Sequence, residues 1–404
     1  MEQLNVEGQG IALVITFDHP DLVTHAFAAK IAVAFGSVGY ELQILTMNAT
    51  MAQKAQTIDW RRVRLCVLVG ALPMTIQFDD KPIYEALKCP FVYYVLDSVF
   101  YDLARVPATR AYLEAALDDP RLTFACAERS HQRTLRAYAD ARGKSVTTFY
   151  TPFGAFFRVP SHRPTRTARG LLVGNIGVEL AGSALRDDLA ATVTELAPPT
   201  VDAAKVPRLV EALAAPRLPY ELSAVIVREL GLAPTWLVDP SILAYVCAID
   251  SQIKRDRRAA LARAVAGLPV DILGRGWDAY LPEDSQARVI GNLSHPELFN
   301  VAVGYAWGIN IDPNWGDGMH DRVLTYLAAG MRVVTNENAM VATLPEVARG
   351  RVRTFDDESV ADVLADQARA SAEASNEVWS HRDLSCVQGH LWVDRCFEWA
   401  QFEP

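Results

Sequence analysis

One stretch decides the fold: residues 309–335, which read INIDPNWGDGMHDRVLTYLAAGMRVVT. Its first and last parts are short apolar runs typical of buried strands, and its middle has the apolar spacing of a helix from His320 to Ala329. A loop that contains two glycines joins the first strand to this helix. The order strand, loop, helix, strand predicts two parallel strands with a helical crossover, which is the repeating unit of a doubly wound α/β domain.

The same alternation extends over most of the chain. Further strands are predicted at residues 11–17, 41–45, 65–69, 91–96, 122–126 and 145–149, and then at 170–175, 270–273, 288–290 and 352–355. Further helices are predicted at residues 22–38, 81–87 and 129–142, and then at 295–303, 341–348 and 359–375. Residues 179–268 lack strand signals and read as several helices, so we expect two α/β domains with a helical elaboration in the second.

Length and charge limit the classes of function. The 404 residues are enough for roughly two to three domains, and half of them are hydrophobic, so the chain can bury full cores. The net charge of −9 argues against a surface that binds nucleic acid or anionic lipid over its whole extent. Because no run approaches the ~20 apolar residues of a membrane span, no signal peptide is evident and the six cysteines form no CxxC pair, we expect a cytoplasmic protein.

The loop and the start of the following helix carry the strongest chemical signal. Gly316 and Gly318 would let the backbone approach a ligand without a Cβ clash, and Arg322 lies in the first turn of the helix. The backbone amides of that turn, the positive end of the helix dipole and this guanidinium would converge on one point, which suits a diphosphate. The alternative is a flexible loop in which His320 and Arg322 are simply solvated.

Two further turns lie in the same half of the chain. Gly274-Arg275-Gly276-Trp277 follows a strand, at the end where open α/β sheets bind ligands, but it lacks the third glycine of a dinucleotide fingerprint. It is either part of a ligand site or a tight turn. Gly291 ends the next strand, and Ser294 and Glu297 have the spacing of a helix capping box.

The order of these motifs resembles the carboxy-terminal half of GT-B glycosyltransferases, and within them it is most similar to the CgeB-like (spore maturation protein) group. The resemblance rests on Gly318-Met319-His320-Asp321-Arg322, Leu327-Ala328-Ala329-Gly330 and Val333-Val334-Thr335-Asn336, with the turns at Gly274 and Gly291 preceding them in the expected order. It covers about residues 270–375 and implies a GT-B fold, α/β with two Rossmann-like domains that face a central cleft. By that architecture residues 1–165 form the acceptor domain, 166–384 the donor domain and 385–404 a terminal helix that packs back on the first domain.

The resemblance also implies a ligand and residues that bind it. The donor would be a nucleotide sugar such as a UDP sugar, with no other cofactor. By position, the residues that would hold its diphosphate are Gly316, Gly318, Met319, His320 and Arg322, and those near the nucleotide are Gly274, Arg275 and Gly291. Thr325 stands where many family members carry a glutamate that binds the donor ribose, and Asp317 or Asp321 could compensate for the shorter side chain.

Glycosyl transfer needs stabilisation of the leaving nucleoside diphosphate, which helix amides and basic side chains provide in this family, so we expect no metal. An inverting enzyme also needs a base beside the acceptor hydroxyl. Asp18 and His19 follow the first strand and Asp97 follows the strand at 91–96, although either aspartate could equally cap the next helix. The basic run Lys254-Arg255-Asp256-Arg257-Arg258 is either a solvated helix face or, through Arg255 or Arg258, a source of contacts to the donor phosphates.

The sequence therefore predicts a metal-independent glycosyltransferase, hexosyltransferase-like, that moves a sugar from a nucleotide-sugar donor to an unknown acceptor (protein, glycan or metabolite). Two alternatives stay open. A sugar-nucleotide epimerase of the same fold would release its product without any acceptor. A non-catalytic two-domain ligand-binding protein would return its ligand chemically unchanged.

Overall fold

A computed structural model describes residues 10–17, 23–70, 72–78, 80–105, 107–154, 165–176, 188–214, 222–292, 297–311 and 317–373, together with Val387, Arg395, Cys396 and Trp399. The chain divides into two compact units. The first takes in Met1–Gly154, Ser294–Pro296 and Gly389–Pro404, and the second takes in Ala155–Leu293 and Glu297–Gln388. The chain thus passes from the first unit to the second after Gly154, whereas the sequence predicts that the first domain ends at residue 165.

The first unit contains a six-stranded parallel sheet and a short hairpin. Its strands are β1 (Ile11–Phe17), β2 (Glu41–Met47), β3 (Val63–Val69), the hairpin strands β4 (Gln77–Phe78) and β5 (Lys81–Pro82), and then β6 (Phe91–Val95), β7 (Leu122–Cys126) and β8 (Thr147–Tyr150). The order in the sheet is β2-β1-β3-β6-β7-β8. Every residue of β6 and β7 is buried, as expected for parallel strands that helices cover on both faces.

The helices of this unit are α1 (Val23–Ser37), α2 (Met51–Gln56), α3 (Ile83–Ala86), α4 (Val99–Arg105), α5 (Pro107–Ala116) and α6 (Arg129–Ala141). The sequence does not predict α2, α4 or α5. α4 begins with Val99-Phe100-Tyr101, and such β-branched and aromatic residues are as typical of strands as of helices. α5 begins at Pro107, which is tolerated there because the first amides of a helix have no partner within the helix.

Two residues near the carboxy terminus pack into the first unit. Trp399 is 1% exposed, its ring centroid lies 5.3 Å from that of Tyr94, and its Nε1 donates to Thr151 Oγ1 at 3.1 Å. Cys396 Sγ lies 3.5 Å from the carbonyl oxygen of Ile31 in α1. Trp399 and Cys396 are therefore core residues of the first unit.

The second unit contains another six-stranded parallel sheet. Its strands are β9 (Thr167–Val173), β10 (Val270–Leu273), β11 (Arg288–Gly291), β12 (Tyr305–Asn310), β13 (Arg332–Asn336) and β14 (Val352–Phe355). Their order is β11-β10-β9-β12-β13-β14. The helices that follow the sheet strands are α11 (Leu298–Ala302), α12 (Asp321–Ala328), α13 (Glu346–Arg349) and α14 (Val360–Glu373), so the second alternation predicted from the sequence is confirmed.

The described residues between β9 and β10 contain helices and no strand, as the sequence predicts. They are α7 (Leu189–Glu195), α8 (Val206–Leu213), α9 (Leu222–Leu230) and α10 (Pro240–Val265). Asp239 caps α10 by accepting from the amides of Ser241 at 2.8 Å and Ile242 at 3.3 Å, with a proline in the first turn. The predicted helix at 341–348 is wrong: a 3₁₀ turn at Ala339–Thr343 and the short α13 replace it, because Pro345 restricts the residue before it to extended geometry.

A buried carboxylate near the amino end of β10 links this strand to three other strands of the second unit, β9, β11 and β12. Asp271 is 3% exposed, and its oxygens accept from Arg169 Nε at 2.6 Å, Arg288 Nε at 2.8 Å and the Tyr305 hydroxyl at 3.0 Å. Burial alone would raise the pKa of Asp271, but these three donors outweigh it and hold the pKa below its usual value. The ionised carboxylate therefore stabilises the fold.

We expect Asp271→Asn to lower the free energy of unfolding by about 2 kcal/mol at pH 7, since charged hydrogen bonds are lost. Because the folded pKa lies below the unfolded one, this contribution is fully present above about pH 4 and is lost as the pH falls through the folded pKa. Urea unfolding of both proteins between pH 7 and pH 3.5 should show the difference shrinking towards acid. A difference that stays constant would contradict this account.

No helix among the described residues is both long enough and apolar enough to span a bilayer.

Candidate functional site

The strand order of the second sheet indicates where a ligand would bind. Numbered within the unit, the strands lie in the order 3-2-1-4-5-6, so the direction of winding reverses between β9 and β12. Open α/β sheets bind ligands at the carboxyl ends of the strands beside such a reversal. We call residues 173–176, 274–276, 291–292, 311 and 317–322, which lie at these strand ends and at the start of α12, the switch-point edge.

Arg322 joins the two strands at the reversal. Its Nη1 donates to the carbonyl oxygen of Val173 at the end of β9, and its Nη2 donates to that of Ile311, just after β12, at 3.4 Å. The residue is only 7% exposed. The Arg322 guanidinium, which the sequence predicts to bind a diphosphate, therefore also hydrogen-bonds to main-chain carbonyls on both sides of the reversal.

His320 caps α12 beside this arginine. Its Nδ1 accepts from the backbone N–H of Arg322 at 3.3 Å and from Arg322 Nε at 3.2 Å, and it lies 2.7 Å from Asp321 Oδ1. The backbone N–H of Arg322, one of the amides expected to face a diphosphate, is therefore already capped by His320. Of the two carboxylates near Thr325, Asp321 is fully buried and Asp317 is half-buried.

The other predicted residues around α12 are mostly buried. Gly318 accepts a hydrogen bond from Asn338 Nδ2 through its carbonyl oxygen, and Met319 is 4% exposed. Thr325 is 3% exposed, and its hydroxyl has no hydrogen-bond partner among the described residues. A ribose contact through Thr325 would need access that this burial does not provide. Gly316 lies outside the described residues.

Gly274 and Gly276 allow two loops to approach closely. Their φ angles are +156° and +84°, and a Cβ would lie 1.8 Å from the carbonyl oxygen of Gly174 or 1.9 Å from that of Ile176, respectively. Trp277 Nε1 also joins the two loops, because it donates to the Gly174 carbonyl oxygen at 2.6 Å. Packing of the β10 turn on the β9 turn is enough to explain both glycines, because only glycine lacks the Cβ that would clash.

Arg275 projects from this turn as an exposed cation. Its backbone N–H donates to Asn175 Oδ1 at 2.9 Å, and Asn292, with its amide oriented to satisfy both groups, accepts from Arg275 Nε at 3.3 Å and Nη2 at 3.1 Å. The Gly274 amide donates to the Gly291 carbonyl at 2.8 Å, so the predicted residues of this group lie together. Neither asparagine is predicted as a site residue from the sequence, but each lies within two residues of a strand end, a position that could have identified it.

Gly174 connects the two groups of predicted residues. It lies against Gly274 through its carbonyl oxygen, and a Cβ added to it would come within 2.8 Å of Arg322 Nη1. The turn after β10 and the start of α12 therefore meet at one residue. The structure thus brings the described residues predicted for the nucleotide and for the diphosphate to one edge of one sheet.

In the first unit, Asp97 is the described member of the predicted catalytic set, since Asp18 and His19 lie outside the described residues. Asp97 is half-buried after β6, and its Oδ1 accepts from the backbone N–H of Ser98 at 2.8 Å. Burial raises the pKa of Tyr93 well above its usual range, and the charges of Asp102, which accepts from the Tyr93 hydroxyl, and of Asp97 add to the effect. The roles of Asp97 as a base or as a helix cap both stay predictions.

The basic run at residues 254–258 lies in α10 and forms ion pairs there. The pairs are Lys254 with Asp250 at 2.9 Å, Arg255 with Asp256 at 3.6 Å and Arg257 with Asp357 at 2.9 Å. This favours a salt-bridged helix face, and a contact with donor phosphates through Arg255 or Arg258 stays a prediction.

No group of three or more potential metal ligands occurs among the described His, Cys, Asp and Glu residues. The described cysteines are buried, and burial raises the pKa of Cys89 to about 11 and that of Cys126 to about 12. Thiols this weakly acidic are poor nucleophiles and metal ligands.

Neither a family model nor a curated protein matches the sequence. Among solved structures, the chain is similar to a sucrose-phosphate synthase from Thermosynechococcus elongatus, with 12% identity, a TM-score of 0.52, and coverage of 97% of this chain and 98% of that one. It is also similar to Anabaena HepE in complex with UDP (11% identity, 97% and 98% covered, TM-score 0.40) and to the glycosyltransferase SnogD from Streptomyces nogalater (12%, 97% and 99%, TM-score 0.35).

The first of these likenesses shows a shared fold, whereas TM-scores of 0.40 and 0.35 are too low to carry an inference. The predicted fold class is confirmed: the chain has a GT-B fold, with two Rossmann-like domains and a helical elaboration in the second.

Proposed function

We propose that this protein is a glycosyltransferase that binds a nucleotide-sugar donor at the switch-point edge. The observation that carries the proposal is the meeting, at Gly174, of a turn bearing the exposed Arg275 with a helix start bearing His320 and Arg322. Positive groups at the reversal point of a Rossmann sheet suit the diphosphate of a nucleotide. The finer likeness to the CgeB-like group rests on the order of sequence motifs.

Within this proposal the predicted residues divide into two roles. Arg275, supported by Asn175 and Asn292, faces the nucleotide together with Gly274 and Gly291. The start of α12 faces the diphosphate, with Gly316, Gly318, Met319, His320 and Arg322 as the residues that hold it. Arg322 has five N–H donors in a planar fork, so it can bond to the two strand carbonyls and also turn donors towards a phosphate.

The proposed reaction is the transfer of a sugar, for which we favour a hexose. The acceptor oxygen forms a bond to the anomeric carbon as the bond from that carbon to the diphosphate breaks, and the nucleoside diphosphate leaves with the electron pair. Arg275, Arg322 and the α12 dipole would stabilise the negative charge that develops, so we propose that no metal is required. In an inverting reaction the acceptor proton passes to a base, for which Asp97, Asp18 and His19 are the candidates.

The proposal is tested by calorimetric titration of the protein with UDP, GDP and dTDP. One of them should bind saturably, and Arg275→Ala should weaken it about tenfold by removing a charged hydrogen bond. Arg332→Ala, which removes an exposed arginine at the start of β13, is the matched control and should leave the affinity unchanged. If none of the three binds to protein that circular dichroism shows to be folded, the proposal fails.

The bound nucleoside diphosphate then identifies the nucleotide sugars to incubate with the protein. Transfer of the sugar to an added acceptor, undiminished by a chelator, is the result we expect. Release of an isomerised sugar without acceptor would indicate an epimerase, and recovery of unchanged nucleotide sugar would indicate a binding protein.

A further inference from the structure

A ligand-sized pocket lies within the second unit, beside the helical elaboration. Its volume is about 240 Å³, and it lies among α7, α8 and α10 and the carboxyl ends of β12 and β14. Protein interiors leave few voids larger than a water molecule, and a cavity of about 150 Å³ lined by apolar side chains holds benzene. The hollow is therefore large enough for a ring with a short substituent.

The wall of the pocket is mainly apolar. Of the twelve described residues that line it, nine are apolar, and they include Leu213, Leu261 and Phe355, which are 3%, 1% and 4% exposed. These side chains come from α8, α10 and β14, which are regular elements that hold them in place. Such a wall binds the apolar body of a ligand by removing it from water.

Three charged residues complete the lining. Arg257 Nη2 donates to Asp357 Oδ2 at 2.9 Å, and the two oxygens of Asp256 accept from Gln252 Nε2 at 2.9 and 3.0 Å. Arg255 lies 3.6 Å from Asp256 without lining the pocket. The charged lining thus consists of two carboxylates and one guanidinium, which pairs with Asp357. Since a carboxylate can only accept hydrogen bonds, this lining favours a donor with a positive charge.

We propose that this pocket binds a small amphipathic amine, with its apolar body against Leu213, Leu261 and Phe355 and its ammonium group against Asp256 and Asp357. The pocket borders the proposed donor site at one residue. The two share Ile311, which lines the pocket and whose carbonyl accepts from Arg322 at 3.4 Å. Binding of the amine is therefore tested in the absence of nucleotide, so that failure of one proposal does not decide the other.

The test compares 2-phenylethylamine with 2-phenylethanol, which share one apolar body and differ in charge. Calorimetry on the full chain at pH 7 should show one saturable site for the amine, with an affinity at least about tenfold higher than for the alcohol. Asp256→Asn keeps the shape of the side chain but removes its charge, and it should bring the two affinities within a few-fold of each other, since the remaining discrimination comes from Asp357.

A second variant tests the location. Ala260→Leu places a larger side chain in the pocket and should weaken both ligands about tenfold, because it removes the space for the ring. Ala190→Leu, an exposed change on α7 next to Leu189, is the matched control and should change nothing. Absence of saturable binding, equal affinities for amine and alcohol, or retained affinity in folded Ala260→Leu would each overturn the proposal, and if that variant does not fold, Asp256→Asn decides.

Discussion

Arg322→Ala is expected to lower the free energy of unfolding of the second unit by about 3 kcal/mol, because two main-chain carbonyls lose a charged donor. Those carbonyls belong to Val173 and Ile311, on either side of the reversal between β9 and β12, and the arginine that bridges them is 7% exposed. In the variant, water would have to enter the edge of the sheet to hydrogen-bond these carbonyls. Urea unfolding at pH 7, followed by tryptophan fluorescence, measures the loss.

Two companion variants make this result specific. Arg332→Ala removes an exposed arginine from the same unit and should change the free energy of unfolding by less than about 0.5 kcal/mol. Arg322→Lys keeps the charge but replaces the planar fork by a compact ammonium, so we expect an intermediate loss. A loss below about 1 kcal/mol for Arg322→Ala would mean that the carbonyl contacts contribute little.

The same variants separate the structural role of Arg322 from its proposed role in binding. If the guanidinium also contacts the donor diphosphate, Arg322→Ala should weaken nucleoside diphosphate binding by about 1.5 to 3 kcal/mol under conditions where the variant is still folded. An unchanged affinity in folded protein would leave Arg322 with the structural role alone.

The sequence predicts the sheets well because each parallel strand carries its own signal. The strands at residues 11–17 and 122–126 have the same bounds in the structure, since a buried parallel strand is a short apolar run whatever lies beside it. The edge strand at 352–355 also has the predicted bounds, although its two central residues are exposed. Helices with weak local contrast, such as α4, escape prediction. The difference is physical: burial of a strand on both faces is visible in its composition, whereas the first turn of α4, Val99-Phe100-Tyr101, consists of residue types that strands also favour.

The sequence predicts where the candidate site residues lie on their helices and loops, but not which other residues they contact. The sequence places Arg322 at the first turn of a helix, yet its partner Val173 lies 149 residues earlier in the chain, and no spacing rule reveals such a pair. The burial of Thr325 is equally invisible, because α12 is buried along its whole length and its sequence does not show what covers it. Long-range partners decide what each of these side chains can do.

Gly276→Ala should be strongly damaging, with an expected loss of about 3 kcal/mol or more in the free energy of unfolding, from a clash and a strained backbone together. The added Cβ would lie 1.9 Å from the carbonyl oxygen of Ile176, a main-chain atom that cannot move aside alone, at a φ of +84°. Gly291→Ala is the matched control, because its φ is +129° but no atom lies within 4 Å of the added Cβ, so only about 1 kcal/mol of backbone strain is expected. The difference between the two variants in urea unfolding measures the close approach of the β9 and β10 turns. Equal losses would show that backbone conformation, and not this packing, requires glycine at position 276, and the turn that positions Arg275 would then not depend on its neighbour.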